Sequence, residues 1–375
     1  MNKRFLALDS FRGLFALSVV MFHMHLVGSI TEIDFFRGSS LFVEFFFILS
    51  GFVITHGFAY KEDLKFSSFA ISRAFRLFPL HIFMLIVFLG IELGKLAAFK
   101  YAGFTFSSDP FTDSSAISQI LPNLFLIQSW FPFTDHESFN YPSWSISIEY
   151  YIYLIFFIIT MVFKQFKVLA WAFISLIMIW LLANESTYLE KEVMRGLSCF
   201  FLGSLTYVTY NHFKHIKANF YTSSTLELIC LIIVITVVSS DIEFKSLISS
   251  LIFCITVFIF SFEFGAISKL LKLQPFKRLG ELSYSIYMTH AAILFILISS
   301  GLILQKITGV NFTPLIDGQR YITTGNILLN NILILLILGI IIYLSTFTHK
   351  YIEKTGQRLG KNLPSKLSIL RNSNA

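Results

Sequence analysis

The stretch Leu8–His25, LDSFRGLFALSVVMFHMH, decides how the rest of the chain is read, because it sets four ionisable side chains into a segment apolar enough to cross a membrane. An Asp, Arg or His inside a spanning helix is expensive, faces the bundle interior or an aqueous cavity, and marks a functional site by default. At about 100° per residue, Asp9, Arg12, Ala16 and His23 fall along one helical stripe. Arg12 and His23 differ by about 20° in azimuth and stand about 16 Å apart along the axis. One face thus presents a cation near one membrane surface and an imidazole toward the other. The bland alternative is a buried Asp9–Arg12 ion pair with a histidine bonded to a neighbouring helix.

The rest of the chain agrees with a membrane setting. Of 375 residues, 55% are hydrophobic, 17% aromatic and only 14% charged, a composition of polytopic all-α membrane proteins rather than soluble domains. Ten spans are predicted near 5–27, 41–60, 77–93, 141–163, 167–183, 193–210, 222–240, 246–264, 280–300 and 326–348. With Met1 cytoplasmic, twenty of the 29 Lys and Arg fall on the inner side and eight on the outer; Arg12, inside the first span, is the last. That bias satisfies the positive-inside rule and puts both termini in the cytoplasm. The net charge of +7 is therefore a topology signal and not a nucleic-acid one.

Residues 115–132 tempt an eleventh span but contain Pro122, Asn123 and two Gln, and counting them would send the later basic loops outside. They are expected to form a re-entrant or interfacial segment on the outer side. The organisation expected is one integral-membrane domain over 1–350 and a basic cytoplasmic tail over 351–375 that includes Lys354, Arg358, Lys361, Lys366 and Arg371. The N-terminal stretch is not a cleavable signal, since Asp9 and Arg12 interrupt its apolar region, and Met1 is expected to begin the mature chain. Cys199, Cys230 and Cys254 lie in predicted spans without paired spacing, which points to packing roles; no metal site is expected.

Five motifs in order carry a resemblance. LDxxRG, with Arg12 followed after ten residues by His23, FFFILSGF at 45–52, Arg73-Ala-Phe-Arg76 before Leu77, Phe78 and Pro79, SWSISIEYYIY at 143–153, and LGELSYSIYMTH at 279–290 together resemble the membrane acyltransferase-3 family over about residues 5–350. The resemblance implies transfer of an acyl group, usually acetyl, to a hydroxyl of a cell-envelope carbohydrate such as lipopolysaccharide O-antigen or exopolysaccharide. It implies acetyl-CoA or another acyl-CoA as co-substrate, no tightly bound cofactor, and a multi-pass protein of the bacterial inner membrane. The expected partners are the acyl-CoA donor, a carbohydrate or glycolipid acceptor and membrane lipid.

Residue by residue, two clusters are expected. At the inner face, Arg73 and Arg76 are three apart on one helical side, and with Arg12 and Asp9 they are candidates for binding the phosphates of CoA, to which the planar guanidinium fork is suited. Basic residues at the inner end of a span are also ordinary topology determinants, but Arg12 is not a loop charge. Pro79 is expected to interrupt the helix that carries the pair. Toward the outer face, His23 is the candidate catalytic imidazole, with Glu44 orienting it and Glu149 at a similar depth. Gly51 is read as a close helix approach, and His290 as a group near the thioester or as a structural histidine. Spans five to eight read as scaffold. No P-loop, dinucleotide-binding glycines, HExxH, paired cysteines or serine elbow occurs. The rival reading is a transporter or flippase with His and Glu as a proton relay, although neither inverted repeats nor paired broken helices are evident.

Overall fold

The computed structural model describes residues 3–61, 65–106 and 108–373, with side chains up to residue 363. The apolar stretches form α1 (Leu6–His23), α2 (Phe42–Phe58), α3 (Phe66–Ala102), α4 (Trp144–Phe163), α5 (Lys167–Ala183), α6 (Lys191–Phe213), α7 (Phe220–Ser239), α8 (Lys245–Phe262), α9 (Gln274–Thr308) and α10 (Ile327–Thr348). Among the described residues, eight segments are long and apolar enough to cross a membrane. One of these, Tyr141–Ala183, holds both α4 and α5. The chain breaks at Lys164, with φ +37°, and doubles back so that Phe156 stacks on Trp171 at 5.4 Å. Helix α6 is less apolar, with Lys191, Glu192 and Arg195 in its first turns, yet it packs centrally on α2 and α5. The protein is an all-α polytopic membrane protein.

Two crossings set the bundle. Helix α1 lies along α9, where a Cβ on Gly13 would strike the Leu279–Gly280 backbone and one on Gly280 the backbone of Asp9. Only small residues let two helices approach this closely, which explains the glycines after Arg12 and before Glu281. Helix α2 meets α6 in the same way: a Cβ on Gly51 has no room against the Phe200 carbonyl, nor one on Gly203 against that of Ile48. The close approach expected at Gly51 is therefore present.

Three expectations are corrected. Helix α1 ends at His23 rather than near residue 27, because the chain then turns extended: Ile322 N donates to the His25 carbonyl (2.8 Å) and Val27 N to that of Ile322 (3.1 Å). Helix α3 is 37 residues long and runs through Pro79 without a break. Proline removes the bond to the Phe75 carbonyl, and that spot is covered instead by Gly356, which lies against Phe75 O and the Pro79 ring. Gly356 belongs to α11 (Lys354–Ser373), which continues α10 through a π-helical turn at His349–Glu353. Along its described part, the basic segment expected as a tail is thus a helix docked on the stretch of α3 that carries Arg73 and Arg76; Lys366 and Arg371 lie outside the described side chains. The third correction is Arg195, in the region read as featureless scaffold, whose ion pair with Glu44 is described below.

Residues 115–132 form no spanning helix. They fold as short turns around a five-residue helix, Ile120–Leu124. The segment is pinned from below by His81, which bonds the Asn123 carbonyl (2.7 Å), by Ser147, which donates to Leu126 O (2.6 Å), and by Tyr151, which donates to Phe125 O (3.0 Å). Ile117, Leu121 and Phe125 stay exposed, as suits an interfacial segment whose backbone is satisfied by protein.

Candidate active site

The inner site is assembled by three successive residues of α9. Ser283 Oγ accepts from Arg12 Nε of α1 (2.8 Å), Tyr284 OH donates to the Leu77 carbonyl of α3 (2.7 Å), and Ser285 Oγ donates to Glu353 at the π-helical turn (3.0 Å). One turn of α9 thereby fixes α1, α3 and the start of α11 around a pocket. Its volume is ≈ 770 Å³ counting the space at its mouth, and Arg12, Arg76, Ser50, Glu149, Ser283 and Tyr287 are among its lining. Arg76 lies in the field of the Glu149, Glu353 and Asp9 carboxylates. Glu353 itself is buried and bonded on both oxygens, by His349 and Ser285 on one and Gln357 on the other.

The expected inner cluster is only partly together. Arg12 and Arg76 share the pocket. Arg73 sits behind it in an aromatic cage, its guanidinium 5.2 Å from the Phe58 ring and 5.8 Å from those of Phe69 and Tyr153, with a buried Nε that has no partner among the described residues. Asp9 does not pair with Arg12. It accepts from Arg4 Nε at 2.6 Å, and the arginine that LDxxRG shares with it turns instead to α9.

The two carboxylates expected beside His23 are elsewhere. Glu149 Oε1 accepts from Ser50 Oγ (2.7 Å) and from Tyr153 OH, which puts it in the arginine pocket. The reason is depth: Ser145, one turn earlier, bonds Tyr287 at 2.9 Å, and four residues of helix carry Glu149 about 6 Å further in. Glu44 is 1% exposed and faces α6 and α8, where Arg195 Nη2 donates at 2.7 Å and Ser246 Oγ at 2.8 Å. A buried carboxylate needs a cation, and in this bundle α6 supplies it. Arg195 obeys the same rule that singled out Arg12, a charge within an apolar run, and so was readable. Ser50 and Tyr153 carried no such signal, since hydroxyls on spanning helices are commonplace.

At the outer end, His23 closes α1 and stacks on His290 at 5.4 Å, with Tyr141 tilted against it at 4.6 Å. The Nδ1 of His290 donates to the Tyr287 carbonyl (2.8 Å), so its proton sits there and its buried Nε2, without a partner among the described residues, presents the lone pair of the neutral ring. His23, with the buried His290 stacked behind it, opens onto an outer pocket of ≈ 1490 Å³, counting the space at its mouth, together with His25, Glu92, Lys95, Phe139, Tyr141 and Gln319. Lys95 and Glu92 form a buried pair (3.0 Å) that Ser108 Oγ and the Phe111 amide complete. This pair lay at the edge of the expected third span and was passed over there. Tyr287 and Ser145 stand between the two pockets. A polar column therefore runs through α1, α4 and α9, from Arg12, Glu149 and Ser283, past Ser145 and Tyr287, to His23, Tyr141 and His290.

The comparisons with known proteins follow the same motifs. The family pattern described as an acyltransferase domain, of type 3, matches residues 5–351. Acyltransferase MdmB of Streptomyces mycarofaciens is 33% identical over 118 residues, a stretch that covers 31% of this chain and 27% of that protein. No solved structure matches. With the match running through all five motifs and both pockets, the chain belongs to the membrane acyltransferase-3 family.

Proposed function

We propose that this protein is an O-acyltransferase of the bacterial inner membrane that moves an acyl group, acetyl in the first instance, from acyl-CoA to a hydroxyl of a cell-envelope carbohydrate or glycolipid. The observation that carries the reading is the polar column, with arginines that have no ion pair among the described residues at one end and an imidazole pair at the other. The phosphates of CoA lie against Arg12 and Arg76, whose forks match their oxygens, and Arg73 adds its charge from behind the rings. Glu149 repels phosphate, so the phosphates stay on the inner side of Arg76. The carboxylate, held by Ser50 and Tyr153, then meets the uncharged pantetheine arm, whose amides can donate to it.

The thioester passes Ser145 and Tyr287 and reaches His23. There the imidazole takes the proton of the acceptor hydroxyl, the oxygen attacks the thioester carbonyl, the C–S bond breaks, and CoA thiolate leaves. Transfer through an acyl-His23 intermediate differs in one readout: CoA is released in a burst before acceptor is added. The outer pocket supports a hydroxyl-rich acceptor, since Tyr141, Gln319 and the Lys95–Glu92 pair offer donors and acceptors beside the Phe139 ring.

The test is purified protein given labelled acetyl-CoA with and without a glycolipid acceptor. Acceptor-dependent release of CoA, with label appearing on the carbohydrate as an alkali-labile ester, is the expected result. Absence of acetyl-CoA binding by correctly folded protein overturns the proposal.

A further inference from the structure

We propose that the outer ends of α5, α6 and α8 enclose a binding site for an anionic phospholipid, separate from the two pockets above. The argument begins with the eight cations on the outer side, each placed against the positive-inside bias and so in want of a reason. Six have one within the protein. Arg37 donates to the Met21 and Met24 carbonyls, Lys95 is paired with Glu92, and Arg195 with Glu44. Lys100 and Lys306 lie over the rings of Tyr101 and Phe104, and Arg320 donates to Thr313 O.

The remaining two, Lys191 and Lys245, have no ion pair, hydrogen bond or ring contact among the described residues, and both line one cavity. Each is also the first residue of its helix, where the macrodipole disfavours a cation. Neither helix start has a side-chain cap, so first-turn N–H groups are left for another acceptor. The cavity spans ≈ 900 Å³ counting the space at its mouth. Arg195, paired with Glu44 from behind, also lines its wall with the hydroxyls of Ser246 and Ser250, and no carboxylate is among the described residues that line it. Leu182 at the end of α5, with Ile179 and Leu202 further along α5 and α6, makes the rest of its wall apolar.

Charge at the level of the helix ends over an apolar cleft within the span matches a phosphate headgroup with its acyl chain below. A free anion needs only the first of these. The occupant is therefore an outer-leaflet lipid with a net negative headgroup, bound by Lys191 and Lys245 at its phosphate and by Leu182 and Leu202 along its chain.

Native mass spectrometry of the full chain, with dioleoyl phosphatidylglycerol and dioleoyl phosphatidylcholine as probes, tests this. Wild-type protein is expected to retain phosphatidylglycerol preferentially. Lys191→Gln with Lys245→Gln is expected to lose about thirtyfold in affinity for it, the effect of two cations at a headgroup, while Lys→Arg at both positions keeps the preference. Leu182→Trp, which fills the cleft without touching charge, is expected to weaken retention as well. Unchanged preference in the double Gln variant overturns the site. Full retention in Leu182→Trp, or displacement of the lipid by inorganic phosphate, reduces it to a surface anion site and overturns the lipid assignment.

Discussion

The inner and outer pockets share the helices α1, α3 and α9, but they treat charge in opposite ways. In the outer pocket the Lys95–Glu92 ion pair is closed: Lys95 reaches both oxygens of Glu92 and also Ser108, and the Phe111 amide takes up Glu92 from the other side. In the inner pocket the charges come from three helices and stay open. Arg12 spends its bonds on Ser283 and, at 3.4 Å, the Gly280 carbonyl, which leaves most of its five donors unused. Glu149 bonds hydroxyls rather than a guanidinium. A pocket with a closed pair offers hydrogen bonds to a neutral ligand, whereas one with open arginines waits for an anion. Donor binding and acyl transfer should therefore separate under mutation.

The sharpest break is at His23. His23→Ala removes one imidazole of the outer pocket and touches none of the arginines proposed to hold phosphate. Turnover is expected to fall by roughly two to four orders of magnitude, as for loss of a general base, with acyl-CoA affinity unchanged in equilibrium binding. A variant retaining more than about a tenth of wild-type turnover removes His23 from the mechanism.

Arg76→Ala is the mirror experiment. Acyl-CoA binding should weaken by about 1.5–3 kcal/mol, the range for hydrogen bonds to charged groups, and Arg76→Lys should restore only part, because a point charge does not reproduce the fork. Calorimetry with a non-hydrolysable acyl-CoA analogue measures both. If Arg76→Ala binds normally and instead turns over slowly, the two pockets are not separate in function.

The uneven legibility of these pockets has a physical source. Charges buried in apolar runs announce themselves, so Arg12, His23, Glu44 and Glu149 were visible from sequence, as were the all-α polytopic fold and the non-spanning character of 115–132. Depth along one helix could also be read, because Arg12 and His23 share a stripe. Which helix a carboxylate faces could not be read. That depends on how helices cross and at what depth: the Gly51–Gly203 crossing sets α2 on α6, where Glu44 meets Arg195, and the depth of Glu149 along α4 puts it among the arginines. Hydroxyl partners such as Ser50, Tyr153 and Ser283 were silent for the same reason: their meaning lies in what they meet.

Glu353 gives a finer cut. It lies just beyond the family match at 351, and it acts on Arg76 through its field. As a positioning group it should affect the donor alone. Glu353→Gln is expected to raise the KM for acyl-CoA severalfold, on the scale of about 1 kcal/mol for one hydrogen-bonded partner, and to leave kcat nearly unchanged. A fall in kcat at constant KM would place the effect in the outer pocket and contradict the separation.

The smallest effect belongs to His25, two residues from the catalytic candidate and on the lining of the same outer pocket. Helical phase does not describe it, because α1 has ended. Its Nδ1 accepts from Arg37 Nη1 at 2.8 Å, and its ring tilts against Tyr321 at 5.2 Å. Arg37 also donates to the carbonyls of Met21 and Met24 (2.7 and 3.0 Å), so this pair closes the end of α1 from outside while His23 points toward His290. Burial, and then the adjacent Arg37 charge, push the His25 pKa down from its ordinary 6.5. The folded protein thus binds this proton less readily than the unfolded chain. The resulting stability is present while both are neutral and is lost as pH falls through the ordinary value and below. His25→Asn keeps an acceptor for Arg37 but cannot take a proton. It should therefore turn over within about twofold of wild type at pH 7.5, as for a substitution away from the core, and its melting temperature should drop less than that of wild type between pH 7.5 and 5.5. A His25→Asn enzyme as inactive as His23→Ala would mean that the acceptor proton leaves through the wrong histidine, and the stripe from Arg12 to His23 would no longer be the axis of catalysis.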